Sequence, residues 1–127
     1  MRSALAAVVL SVITFAGCGD DPARGATEPT AASEVSSVLA DGAVVIDVRT
    51  PSEFAAGHVT DALNIDVASD DFEAKVDALD KGETYVVYCR TGSRAARAIE
   101  TMKHLGFDNL VNGGAFDELV AAGVPTS

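Results

Sequence analysis

Tyr85-Val86-Val87-Tyr88-Cys89-Arg90-Thr91-Gly92-Ser93-Arg94, followed by Ala95-Ala96-Arg97-Ala98-Ile99, is the stretch around which this chain is organised. Its first residues have high β propensity and read as a buried strand. From Ser93 onward, the spacing of Ile99, Met102 and Leu105 places them on one face of a helix. A cysteine therefore stands where a strand hands over to a helix. Backbone N–H groups at such a junction lack intrahelical partners and converge on whatever lies at the centre, so an anion is stabilised there. A thiolate is such an anion, and helix N-termini and nearby arginines lower a cysteine pKa from about 8.5 to roughly 3.5–7.5. Gly92 permits the left-handed backbone that a tight cradle requires. Arg90 and Arg94 add two permanent charges able to hold an oxyanion through paired hydrogen bonds. The plain alternative is a buried structural cysteine beside two solvated arginines.

Cysteine usage sharpens the choice, because Cys18 and Cys89 are the two cysteines of the chain. Residues 1–17 have the layout of an export signal: Met1-Arg2, then an apolar run from Ala4 to Ala16, shorter than the roughly 20 residues that span a bilayer. The ending Phe15-Ala16-Gly17-Cys18 resembles a bacterial lipobox, with Phe15 where Leu is usual. That resemblance makes Cys18 the acylated N-terminus of a lipoprotein on the extracytoplasmic, periplasm-facing side of the cell envelope; the alternative is a cleaved secretory signal with an incidental cysteine. Several acyl chains on one residue give stable anchoring where a single chain does not. Residues 18–33 are rich in Gly, Ala, Pro, Thr and Asp and read as the acylated cysteine and a flexible tether reaching on the order of 20 Å. With Cys18 acylated, Cys89 has no intrachain partner, which outside the reducing cytosol points to a thiol kept for chemistry or to pairing with another molecule. A Cys18–Cys89 disulfide requires the lipobox reading to be wrong.

Formal net charge is −10, and loss of residues 1–17 with Arg2 makes it one unit more negative. So acidic a surface disfavours nucleic acid and charge-driven docking on anionic lipid. The guanidinium groups near Cys89 form a local positive site that captures small anions by short-range hydrogen bonds.

The globular domain is expected over residues 34–127, enough for one small core. Ser33 to Ala40 reads as a short amphipathic helix, and Ala43 to Val48 as a strand buried on both faces with Asp47 near its end. Thr50-Pro51-Ser52-Glu53 is a capping box that opens a helix ending near Gly57. Ala62 to Ile65 is a further strand, Asp70-Asp71-Phe72-Glu73 caps a helix bearing Phe72, Val76 and Leu79, and Asn109 to Val111 forms the last strand. Gly113-Gly114 then leads into a final helix bearing Phe116, Leu119 and Val120. Alternating strands and helices imply an α/β domain with a mostly parallel sheet flanked by helices on both faces, and ligands in such folds bind at the carboxyl ends of the strands. Asp47, Arg49 and Cys89 all fall at such ends. The two histidines, His58 and His104, lack ligand company at metal-binding spacing, so no metal site is expected.

Taken together, Val45-Ile46-Asp47-Val48-Arg49, Glu53-Phe54 with Gly57-His58-Val59, Ala62-Leu63-Asn64-Ile65, Tyr88 to Arg94, Leu105-Gly106-Phe107 and Gly113-Gly114 resemble, in order and spacing, a single-domain rhodanese over about residues 34–124. With the export signal the chain is similar to the periplasmic rhodaneses of the phage-shock type. Thr60-Asp61 stands where a Pro-Gly or similar small pair is common in that family. The resemblance implies a cofactor-free sulfurtransferase. The Cys89 thiolate attacks the outer sulfur of thiosulfate, sulfite leaves, and the persulfide passes its sulfur to cyanide or an acceptor thiol. It makes Cys89 catalytic and Arg90, Thr91, Gly92, Ser93 and Arg94 the substrate-binding loop.

Supporting roles are read from the residues themselves. Asp47, charged within a buried strand, needs a partner, and Arg49 or a loop arginine is the candidate for a structural ion pair. His58 suits a scaffold hydrogen bond at a helix end, and His104 a helix-terminal surface position. Two rivals stand beside the sulfurtransferase. A phosphatase or arsenate reductase shares the thiolate cradle, but such sites place one residue more between cysteine and arginine than Arg90, Thr91, Gly92 and Ser93 supply. A non-catalytic rhodanese-like module that carries sulfur or binds a protein is the other.

Overall fold

The computed structural model describes residues 27–127. The signal reading of residues 1–17, the lipobox cysteine Cys18 and the first part of the tether lie outside the described residues. Nine elements follow in order: α1 (Ala32–Ala40), β1 (Val44–Asp47), α2 (Pro51–Ala55), β2 (Leu63–Asn64), α3 (Phe72–Asp77), β3 (Tyr85–Cys89), α4 (Ser93–His104), β4 (Leu110–Ala115) and α5 (Phe116–Ala121). The strands form one parallel sheet in the order β2-β1-β3-β4.

The uninterrupted apolar run of β3 is explained by what covers it. Tyr85, Val87 and Cys89 point into one core with Phe72 and Val76 of α3 and Ala95, Ala98, Ile99 and Met102 of α4. Val86 and Tyr88 point into a second core with Val35 of α1 and Leu119 of α5. Side chains of a strand alternate between faces, so a strand with a helix over each face needs apolar groups at every position. Full burial of a side chain such as Ile99 or Met102, both without solvent exposure, contributes about 1.5–3 kcal/mol. These two cores fix the end of β3, and with it the position of Cys89.

Four expectations are corrected. Gly113 and Gly114 lie within β4, which continues to Ala115, and no turn separates them from the strand. The register slips between Val87 and Tyr88, which pair with Asn112 and Gly114; Gly113 is the extra residue, and a Cβ there would come within 2.8 Å of Val86 Cγ1. A bulge of this kind demands glycine, which is why the pair reads from sequence as a turn. Asp71 does not cap α3 with its side chain; its carboxylate instead takes the Ser69 hydroxyl and Lys75. The strand expected over residues 62–65 narrows to Leu63–Asn64, because the chain enters it through Asp61, whose φ of 65° is left-handed. Short polar side chains tolerate that conformation. Finally, residues 27–33 do not form a free tether: residues 27–30 run beside β4, with a parallel bridge between Pro29 and Asn112, and α1 begins at Ala32.

Candidate active site

β3 delivers Cys89 to the carboxyl edge of the sheet, and the chain turns through Arg90, Thr91 and Gly92 into α4. Gly92 is the residue before the helix and has φ 97°, the left-handed conformation expected for it. The turn directs the Gly92 N–H at Cys89 Sγ, 2.9 Å away. That hydrogen bond, at the amino end of a twelve-residue helix, favours negative charge on sulfur. Other loop groups bond among themselves: Ser93 N–H donates to Thr91 Oγ1 at 3.5 Å, and Thr91 Oγ1 donates to Ser93 Oγ at 3.4 Å. Cys89 is a free thiol without solvent exposure. It shares the core that holds Val48, Ala95 and Ile99.

The arginines divide into three situations. Arg49 is buried and grips Asp47 with a fork of bonds: Nε lies 3.0 Å from each carboxylate oxygen and Nη2 lies 2.7 Å from Oδ2. The Arg49 N–H adds a bond to Asp47 Oδ1, and Nη2 also donates to the Gly57 carbonyl at 2.6 Å. Tyr88 donates its hydroxyl to Asp47 Oδ2 at 2.7 Å and accepts the Val59 N–H at 2.9 Å. Burial foremost, with the Asp47 carboxylate adding to it, pushes the Tyr88 phenol well above its ordinary range. Burial works against the Arg49 charge, but Asp47 outweighs it and holds the guanidinium pKa above its usual value. Phe116 and Tyr88 close the cluster, their ring centroids 4.6 and 5.6 Å from the Arg49 guanidinium carbon. The expected ion pair is thus present, and it ties β1 to Tyr88, the residue before Cys89.

Arg94, expected to face a substrate anion, is already engaged. Its Nη1 and Nη2 donate to Glu53 Oε1 and Oε2 at 2.9 and 3.1 Å. The Arg94 fork lowers the Glu53 pKa to about 2, and Glu53 in return raises that of Arg94. Glu53 also serves the capping box of α2 with Thr50. Arg90, by contrast, is exposed, and among the described residues it has no ion-pair partner. It borders a cleft of about 230 Å³ with Arg49, Glu53, Ala56, Phe116 and Asp117. A larger cavity of about 390 Å³ lies at the opposite end of the sheet, against Leu39, Val44, Val59 and Val124, away from the thiol.

His58 makes the scaffold contact expected of it, with Nδ1 2.9 Å from the Phe54 carbonyl and its ring stacked on Phe54. His104 is exposed in the last turn of α4. Sequence reasoning missed Glu53, Tyr88 and Asn112 as site residues. The one usable signal was a polar Asn112 inside an apolar strand; the capping role of Glu53 and the strand role of Tyr88 already accounted for those residues.

With this geometry, the match of residues 31–118 to the model of the rhodanese-like domain is decisive. The chain belongs to the rhodanese-like family. It is 34% identical over 116 residues to the Arabidopsis thaliana protein HIGH ARSENIC CONTENT 1, mitochondrial, with 76% of this chain and 69% of that protein covered. Identity to the thiosulfate sulfurtransferase PspE of Escherichia coli is 30% over 74 residues, covering 58% of this chain and 71% of PspE. The tRNA uridine(34) hydroxylase of Erwinia tasmaniensis is 37% identical over 93 residues, but those are 68% of this chain and only 27% of that protein. Among solved structures, a rhodanese-related protein from Thermoplasma volcanium superposes with TM-score 0.68 at 27% identity, covering 79% of this chain and 97% of that one. The rhodanese-like domain is thus an α/β fold whose relatives carry more than one activity.

Proposed function

We propose that this rhodanese-like domain is a thiosulfate-type sulfurtransferase working through a persulfide on Cys89. The observation that carries the reading is the Gly92 N–H aimed at Cys89 Sγ at 2.9 Å, with an exposed Arg90 at the rim that has no ion-pair partner among the described residues. In the first step the thiol proton goes to water and the thiolate attacks the outer sulfur of thiosulfate. A new S–S bond forms, the bond to the sulfonate sulfur breaks, and its electron pair leaves with sulfite. In the second step cyanide or an acceptor thiolate attacks the outer sulfur and the pair returns to Cys89. Splitting the transfer in this way gives ping-pong kinetics. The loop hydrogen bond stabilises the sulfur anion, while Arg90 draws in the sulfonate and favours its departure. Arg94 joins only after exchanging Glu53 for the donor. Since Cys89 has no solvent exposure, each transfer also needs the surroundings of Sγ to open. The reading includes export and lipid anchoring through Cys18 in a periplasm-facing position.

A net charge of −10 weighs against the polyanionic RNA named for one relative. The name of the Arabidopsis relative makes arsenate the second substrate to assay. Purified full-length protein is expected to gain one sulfur by intact mass after thiosulfate treatment and to form thiocyanate from thiosulfate and cyanide. Both are expected to vanish in Cys89→Ser. Thiocyanate formation surviving that change removes Cys89 from the mechanism, and arsenate reduction without sulfur uptake reassigns the activity. Palmitate labelling, lost in Cys18→Ala, tests the anchor.

A further inference from the structure

We propose that Asn112 is a positioning residue that locks residues 27–30, the strap leading into α1, to the sulfur-binding loop, so that the strap is part of the active-site wall. The proposal rests on the sulfurtransferase reading for its kinetic consequence, not for its geometry.

Asn112 is 1% exposed, on β4 directly before the bulge. A buried primary amide must place two donors and an acceptor. Nδ2 donates to the Thr27 carbonyl at 2.7 Å and to the Gly92 carbonyl at 3.3 Å, and Oδ1 accepts the Gly114 N–H at 2.8 Å. The two carbonyls and one N–H leave a single workable orientation of the amide. The Asn112 backbone carbonyl also accepts the Thr30 N–H at 2.9 Å. One side chain therefore joins the strap, the loop and the bulge.

Contacts repeat the same link. A Cβ built on Gly92 would lie 3.4 Å from Pro29 Cγ, and one on Gly114 would lie 3.6 Å from Pro29 Cβ. The proline ring is seated against both glycines. Gly92 is the residue whose N–H meets Cys89 Sγ, so whatever fixes Gly92 fixes that hydrogen bond. Its left-handed backbone has few side-chain handles of its own, having no Cβ. Asn112 and Pro29 provide the external hold, and both depend on the strap staying on the edge of β4. Peeling residues 27–30 away leaves Asn112 without its Thr27 and Thr30 partners and Gly92 without its proline neighbour.

Two substitutions in the full-length chain test this. Thr30→Pro deletes the strap N–H without touching the core; Asn112→Asp replaces donors by acceptors facing the Thr27 and Gly92 carbonyls. Hydrogen exchange at the Gly92 amide and the rate of sulfur uptake on Cys89, followed by intact mass, are read beside the thermal midpoint. In Thr30→Pro, Gly92 exchange is expected to rise roughly fivefold, the factor for a hydrogen bond worth about 1 kcal/mol. Sulfur uptake is expected to slow by a similar factor while the midpoint stays near that of the unsubstituted chain. Asn112→Asp is expected to show both effects more strongly; if it does not fold, Thr30→Pro decides alone. Unchanged Gly92 exchange in Thr30→Pro overturns the strap's hold, and faster exchange with unchanged uptake overturns the positioning role. Should the unsubstituted chain take up no sulfur, the sulfurtransferase reading falls and the exchange measurement still judges the strap.

Discussion

Two arginine–carboxylate forks stand within the same end of the sheet, and they differ in their access to water. Side chains of Asp47 and Arg49 are 0% and 6% exposed, whereas those of Glu53 and Arg94 are 26% and 29% exposed. The first pair also binds Tyr88 and the Gly57 carbonyl; the second shares only the α2 cap. A desolvated pair with every lone pair engaged has no low-cost alternative partner, so it acts as scaffold. A pair at the rim trades partners with water or with an incoming anion at small cost. One arginine thus holds the cysteine's strand in place, and the other is open to exchange its partner for an incoming anion.

Breaking the buried fork carries the largest expected effect. Asp47→Ala leaves the Arg49 guanidinium and the Tyr88 hydroxyl in the interior without their carboxylate, a loss of about 3–5 kcal/mol. Urea unfolding monitored by far-UV circular dichroism measures it. A loss below about 1 kcal/mol, the range of an exposed pair, would erase the distinction drawn between the two forks.

At the rim, Glu53→Gln is expected to change substrate binding more than folding. Its removal frees Arg94 for the donor, so KM for thiosulfate should fall by up to about fivefold, the equivalent of an exposed ion pair of about 1 kcal/mol. Steady-state kinetics with cyanide as acceptor read the effect. A rise in KM would mean that Glu53 orients Arg94 toward the donor instead of competing for it.

Much of this contrast could be read before any coordinates. The strand-to-helix handover at Cys89, the αL role of Gly92 and the candidacy of Arg49, beside that of a loop arginine, as partner of Asp47 follow from local patterns, since the residues involved lie within a few positions of one another. Glu53 and Arg94 are 41 residues apart, and no spacing rule links them; their meeting depends on β1 and β3 being adjacent in the sheet. Asn112 was likewise hidden, because its partners Thr27 and Gly92 are 85 and 20 residues away. Burial of the thiol was legible only as one of two alternatives, since a strand buried on both faces and a loop that binds anions make opposite demands on the residue between them; Cys89 lies in the core with Ala95 and Ile99. Local chemistry was legible, and the partners supplied by topology were not.

Acid sharpens the comparison with the smallest effect. Glu53 titrates at about 2 in the folded chain, against an ordinary 4.5. A carboxyl whose folded pKa is depressed is protonated first in the unfolded chain, so its stabilisation is complete above the unfolded value and drains away as pH falls through the folded one. The window for the rim fork therefore runs from about pH 4.5 down to about 2. Because both side chains are more than a quarter exposed, solvent screening limits the contribution to about 1 kcal/mol or less. Comparing the unsubstituted chain with Glu53→Gln cancels the other acids: the former should be more stable at neutral pH by this margin, and the two should converge near the bottom of the window. A difference that persists unchanged into strong acid would assign the stabilisation to the packing of the Glu53 side chain, and not to its charge on Arg94; the cap on α2, which Gln also makes, cancels in the comparison.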